Sequence, residues 1–159
     1  PCLVSVIEGI KGPNLIFTPW EGQAGAAIAE GWRAVAGGEV DCALVGAADT
    51  AACPSTFVYL EQAGLLREGE YPASGAAYLV LERAETATRD DRCVHAGIRD
   101  IGVRPSDAGI VDPLAGRIGR TFAAAPAILM ALACACGWPE ARLCGVDRQE
   151  LRIELGAAR

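Results

Sequence analysis

Hydrophobic positions along this chain follow two different periods, and the change between them marks its elements. From Gly12 to Gly46 a short apolar run at Leu15 to Thr18 passes through Pro19 and Trp20 into a segment from about Glu21 to Ala36. Beyond its first residues that segment carries only Glu30 and Arg33 as charges among Ala24, Gly25, Ala26, Ala27, Ile28, Ala29, Ala34, Val35 and Ala36. Gly37 and Gly38 stop it, and Cys42 to Val45 resumes as an apolar run. The pattern predicts strand, helix, strand, with a helix that lacks a polar face and is therefore enclosed by close neighbours. The first turn of such a helix presents unpaired N–H groups at the positive end of its dipole, a place suited to an anion, a thiolate or a developing oxyanion.

Further along, Pro54 and Ser55 read as a helix start with Ser55 as the N-cap, followed by Phe57, Val58, Leu60 and Leu66. Ser74 to Glu82 is almost wholly apolar, as expected of a strand covered on both faces. Glu82 to Asp91 reads as a charged helical connection, Cys93 to Ile101 as a strand, and 102–116 as a loop rich in Gly and Pro. Phe122 to Gly137 is an Ala-rich apolar run interrupted by Pro126, and Gln149 to Leu155 alternates Leu151, Ile153 and Leu155 as a closing strand.

Composition narrows the class without naming the chemistry. The chain has 159 residues, 52% hydrophobic and 21% charged, the signature of a globular domain with a real core. A net charge of −6 with scattered arginines argues against nucleic acid. The longest apolar run is too short to span a bilayer, and no signal-peptide pattern opens the chain. The 7 cysteines form no Cys-x-x-Cys pair and read as small buried hydrophobes of a reducing cytoplasm, with no metal site. None of Cys2, Cys42, Cys53, Cys93, Cys134, Cys136 and Cys144 reads as a nucleophile at a helix N-terminus with a base beside it. His95 is the only histidine and is assigned no role.

Gly12-Pro13-Asn14-Leu15, the small-residue helix, and Gly38-Glu39-Val40-Asp41 leading into Leu44-Val45-Gly46 resemble the β-ketoacyl synthases, the condensing enzymes of fatty-acid and polyketide synthesis. The resemblance implies an α/β thiolase-like fold of layered α/β/α form with a buried central helix, incomplete relative to the full two-half family fold. Residues 1–101 would belong to the first, nucleophile-side half, 102–116 to a linker or deletion junction, and 117–159 to the second half. A chain opening with Pro1 inside a helix-like segment reads as a fragment, a processed chain or one with segments missing.

The family's nucleophilic Cys aligns without gaps on Glu21, with Gln23 as second choice because Gln23-Ala24-Gly25 matches the Gln-Ala-Gly context of the Cys-less chain-length factors. Gly119-Arg120-Thr121 resembles the family's Gly-His-Thr motif, which puts Arg120 at a catalytic His position and Ala115 at a Lys position. The second catalytic His and the Gly-Phe-Gly-Gly turn have no counterpart, and Ala73-Ser74-Gly75 replaces Gly-Glu-Gly. Glu21 is expected to cap its helix and to pair with Arg120. Condensation needs a thiolate, carbonyl-polarising donors and stabilisation of an enolate, and Glu21, Arg120 and Ala115 supply none of these in the family's way.

The resemblance therefore implies a chain-length-factor-like, non-condensing subunit of polyketide or fatty-acid-like biosynthesis. It would pair with an active ketosynthase through Leu15 to Thr18, meet acyl carrier protein, and need no cofactor. Phe17, Trp20 and Phe122 would line the acyl tunnel or interface. The alternatives are a degenerate acyltransferase or malonyl decarboxylase of the same family, and an independent acyl-chain or carrier-protein binding module.

Overall fold

A computed structural model describes residues 2–17, 20–51 and 53–157, without the side chains of Cys2, Leu3 and Val4. The elements run α1 (Cys2–Ile7), α2 (Glu21–Ala36), β1 (Cys42–Thr50), α3 (Pro54–Gln62), β2 (Ser74–Glu82), α4 (Ala84–Arg89), β3 (Gly97–Pro105), α5 (Ala115–Ile118), a 3-10 turn (Phe122–Ala124), α6 (Ala125–Cys136), β4 (Glu140–Cys144) and β5 (Gln149–Gly156).

Helices α2 and α6 form a middle layer between two antiparallel sheets. On one side β1 and β2 pair from Cys42 opposite Glu82 to Thr50 opposite Ser74. On the other the strand order is β3-β5-β4, with β5 central. Small residues allow this spacing: a Cβ on Gly31 of α2 would lie 2.2 Å from Val45 Cγ1 of β1. Ile28 of α2, Leu129 and Met130 of α6, and Leu143, Leu151 and Ile153 of the second sheet meet in the core between the layers. Each such side chain contributes about 1.5–3 kcal/mol through its removal from water. The expected closing strand is β5, with Leu151, Ile153 and Leu155 all facing inward.

Several expectations change. No strand forms at Leu15 to Phe17, and Leu15 and Ile16 are exposed; a strand needs a hydrogen-bonded neighbour, and none reaches it from the described residues. Thr18 and Pro19 lie outside the described residues. β2 is covered on one face only: Tyr78 and Val80 are 62% and 63% exposed, because no described element lies over the outer side of the hairpin. β3 begins at Gly97, leaving His95 exposed before it, and continues to Pro105, so 102–105 is strand rather than linker. That strand pairs with β5 of the second sheet. Cys53, not Ser55, is the N-cap of α3, with Pro54 in the first turn.

Candidate functional site

The N-terminus of α2 is the best-enclosed polar region among the described residues. Glu21 and Arg120 are 1% and 0% exposed, and Arg120 Nη2 donates to Glu21 Oε1 at 2.8 Å. The expected pairing is present, between residues 99 apart in sequence. The other Glu21 oxygen accepts from the Val146 N–H at 3.4 Å. Asp147 Oδ2 accepts from the Gly22 N–H at 2.9 Å, so an acidic side chain from the β4–β5 turn caps the first turn of α2. The turn approaches closely: a Cβ on Gly145 would lie 2.6 Å from Glu21 Cβ.

Arg120 is a hub rather than half of a pair. Its Nη1 lies 3.5 Å from Glu70 Oε2 and its Nε 3.5 Å from Asp112 Oδ2. Its guanidinium carbon lies 5.1 Å from the centre of the Phe122 ring, in cation–π contact. The backbone fixes it as well, since the Arg120 N–H donates to the Tyr71 carbonyl at 2.8 Å and the Ala73 N–H to the Arg120 carbonyl at 2.9 Å. The segment where the resemblance replaces Gly-Glu-Gly is thus tied directly to the Gly-Arg-Thr segment. Burial pushes the Glu21 carboxyl above its ordinary value, against the pull of backbone N–H groups and of Arg120. Burial likewise raises Asp112, whose Oδ1 accepts from the Leu114 N–H at 2.9 Å.

The remaining sequence-derived positions fall around this centre unequally. Gln23 is exposed on α2, away from the enclosed pair. Ala115 is buried at the start of α5. Phe122 is buried with φ +41°, a left-handed backbone uncommon for an aromatic residue, and meets Trp20 edge-to-face at 6.5 Å between ring centres. Its neighbour Ala123 is fixed by an N–H donated to Asp49 Oδ2 at 3.1 Å. Trp20 and Phe122 share a small cluster with Ala51, Leu60, Leu65, Leu66 and Val146, whereas Phe17 is half-buried.

Sequence reasoning missed Glu70, Asp112 and Asp147, whose partners arrive only by tertiary closure. It also missed Cys53. At the N-cap of α3 the Cys53 sulfur lies 3.5 Å from Ser55 Oγ and 2.7 Å from Thr56 Oγ1. The hydrogen bonds of Ser55 first and Thr56 second lower its thiol to about 7. A cysteine does sit at a helix N-terminus, but its side-chain hydrogen-bond partners are hydroxyls rather than a base. The side chain of Cys2 lies outside the described residues.

Chemically, the α2 terminus holds carboxylates and a cation, and its geometry is that of a closed ion-pair cluster. No helix among the described residues is long and apolar enough to cross a membrane.

Comparison with known proteins identifies the scaffold. No curated protein matches the chain. Among solved structures, the ketosynthase from module 1 of the bacillaene synthase of Bacillus amyloliquefaciens FZB42 is similar, with a TM-score of 0.55 and 24% sequence identity. The likeness covers 70% of this chain and 22% of that one, so this chain spans about a fifth of that ketosynthase and shares its thiolase-like fold in incomplete form. Residues 1–87 match the family described as beta-ketoacyl synthase, N-terminal domain. More than half of the sequence lies within that match, and the chain belongs to the β-ketoacyl synthase family.

Proposed function

We propose that the chain is a chain-length-factor-like ketosynthase homologue without condensing activity, which pairs with an active β-ketoacyl synthase and helps shape its acyl tunnel in polyketide or fatty-acid-like biosynthesis. The observation that carries this reading is the sealed Glu21–Arg120 pair, at the position where the sequence resemblance would put the nucleophile. A carboxylate there is a poor thioester acceptor, repels a malonyl group and is already bonded. Arg120, at a family His position, cannot accept a proton as a neutral imidazole can.

Pairing is supported by a contrast between the two outer sheet faces. The outer face of β3-β5-β4 carries a charge lattice in which Arg152 reaches Glu140 and Glu154 and Arg104 reaches Glu150, a surface suited to water. The outer face of β1–β2 shows Leu44, Tyr78 and Val80, each more than half exposed, and suits a covering partner. In this reading residues 117–159 supply part of a second ketosynthase-like half, and Phe17, Trp20 and Phe122 border the tunnel or interface.

The test is purification of the natural protein from its source with intact-mass analysis. The expected result is a fixed ratio to a ketosynthase carrying an intact nucleophilic Cys, with malonyl and acyl thioesters left unchanged by this protein alone. Purification by itself, together with malonyl decarboxylation that disappears in Glu21→Gln, would overturn the reading. Unchanged product lengths after Phe17→Ala or Trp20→Ala count against the tunnel assignment.

One observation favours a second reading, a residual acyltransferase. Cys53 has a thiol lowered to about 7 at a helix N-terminus. That reading requires an acyl mass increment on Cys53 after incubation with acyl thioesters, absent in Cys53→Ala.

A further inference from the structure

The Arg120 hub is unbalanced in charge. One guanidinium faces Glu21 at 2.8 Å and Glu70 and Asp112 at 3.5 Å each, and the side chains of Arg120, Glu21 and Asp112 are all at least nine-tenths buried. With every carboxyl ionised the group would hold an excess of two negative charges away from water, a state that buried groups avoid by keeping protons. Among the described residues no second cation forms an ion pair with these three carboxyls. From the β4–β5 turn the hub meets Asp147, another acid engaged with the Gly22 N–H. At the end of β4 stands the Cys144 thiol, itself raised mainly by burial. Beside Phe122, Asp49 is engaged with the Thr50 and Ala123 N–H groups. Arg67 offers Glu70 a backbone N–H at 3.0 Å, while its guanidinium donates to the Ile110 carbonyl.

The carboxyls are unequally placed. Glu21 has bonds to both oxygens, from Arg120 and Val146. Glu70 is the most exposed of the three and accepts the Arg67 N–H. Asp112 Oδ2 is buried and has no hydrogen-bond partner among the described residues, its distance to Arg120 Nε being too long for one. We infer that the closed hub retains one proton at neutral pH, that Asp112 holds it, and that closing the cluster therefore takes a proton up from solvent.

Burial raises both Asp112 and Glu21, in the direction this requires. The sign follows from linkage. A carboxyl whose folded value lies above its unfolded one contributes stability that is complete below the unfolded value and is lost as pH rises through the folded one. Asp90, Glu140 and Glu150 are lowered by their arginine partners and act oppositely, at pH values below the ordinary carboxylate range.

The test is the unfolding constant of the full chain, from urea titrations between about pH 5 and pH 7, above the ordinary carboxyl values near 4. For one retained proton the constant rises by up to about tenfold per pH unit, and Asp112→Asn abolishes the rise. A flat or falling constant in the unaltered protein overturns the inference. So does a rise that persists in Asp112→Asn, which if lost in Glu21→Gln places the proton on Glu21 instead. Should Asp112→Asn fail to fold, calorimetry of the unaltered protein at pH 7 in two buffers of different ionisation enthalpy decides: release of about one proton on unfolding is expected, and none refutes the inference.

Discussion

Replacing Arg120 by Met removes the cation while keeping much of its volume, and the structure allows the cost to be worked through. The side chain is fully buried, holds Glu21 at 2.8 Å, faces Asp112 and Glu70 at 3.5 Å, and lies over the Phe122 ring. Its backbone bonds to Tyr71 and Ala73 survive the change. Removing one member of a buried ion pair costs about 3–5 kcal/mol, because the charges left behind must be neutralised or rehydrated. The lost ring contact adds about 0.5–2 kcal/mol. Domain stabilities are about 5–15 kcal/mol, so Arg120→Met consumes a large part of the total. At a urea m-value of about 2 kcal/mol/M the midpoint falls by roughly 2–3.5 M.

Glu21→Gln is expected to cost less, about 1–3 kcal/mol, because Arg120 keeps two carboxyls as neighbours. Since both residues share one network, the double variant should cost less than the sum of the singles. Urea unfolding followed by circular dichroism gives all three values. The reasoning is refuted if Arg120→Met stays within 1 kcal/mol of the unaltered protein or proves milder than Glu21→Gln.

Asp147→Ala removes the acceptor of the Gly22 N–H and is expected to cost about 1 kcal/mol, read as a lower urea midpoint with unchanged slope. Leu129→Ala opens a cavity between α6 and the sheets and should cost about 2–5 kcal/mol in the same measurement. Because the Cys53 thiol is lowered to about 7, its thiolate forms as pH rises through that value, and iodoacetamide alkylation followed by peptide mass should be half-maximal there. Ser55→Ala or Thr56→Val moves that midpoint upward, and an unshifted midpoint in both would refute the hydroxyl explanation.

The elements most legible in the sequence are those whose pattern is dictated locally. The bounds of α2 follow from small residues closed by Gly37 and Gly38, and β5 from strict alternation of Leu151, Ile153 and Leu155. β4 went unrecognised: in Glu140–Cys144 only Ala141, Leu143 and Cys144 turn inward, and Glu140 and Arg142 give the stretch the polarity of a loop. Ser55 is the better N-cap on propensity, but the helix is capped two residues earlier, at Cys53, where Pro54 fits the first helical position. Glu21 and Arg120 could be associated only through the family resemblance, since nothing local links residues 99 apart. Asp112 is the harder case: beside Pro113 it reads as an ordinary turn acid, and only closure of the fold buries it against Arg120.

The α2 N-terminus joins these observations into one argument about chemistry. A helix start is useful to an enzyme because its free N–H groups and positive dipole end can stabilise a substrate's negative charge. Here the Gly22 N–H is already given to Asp147, and Glu21 brings a carboxylate to the same turn. Arg120 then balances Glu21 from the far side, and Gly145 packs against the Glu21 side chain too closely to admit even a methyl group. The positive end that could serve an oxyanion is thus satisfied by the protein's own acids. Glu21 and Arg120 act as one coupled pair. Each would be costly alone, a buried acid without a cation or a buried cation without an acid, and together they form a joint that locks the helix start to the β4–β5 turn and to the segment before β2.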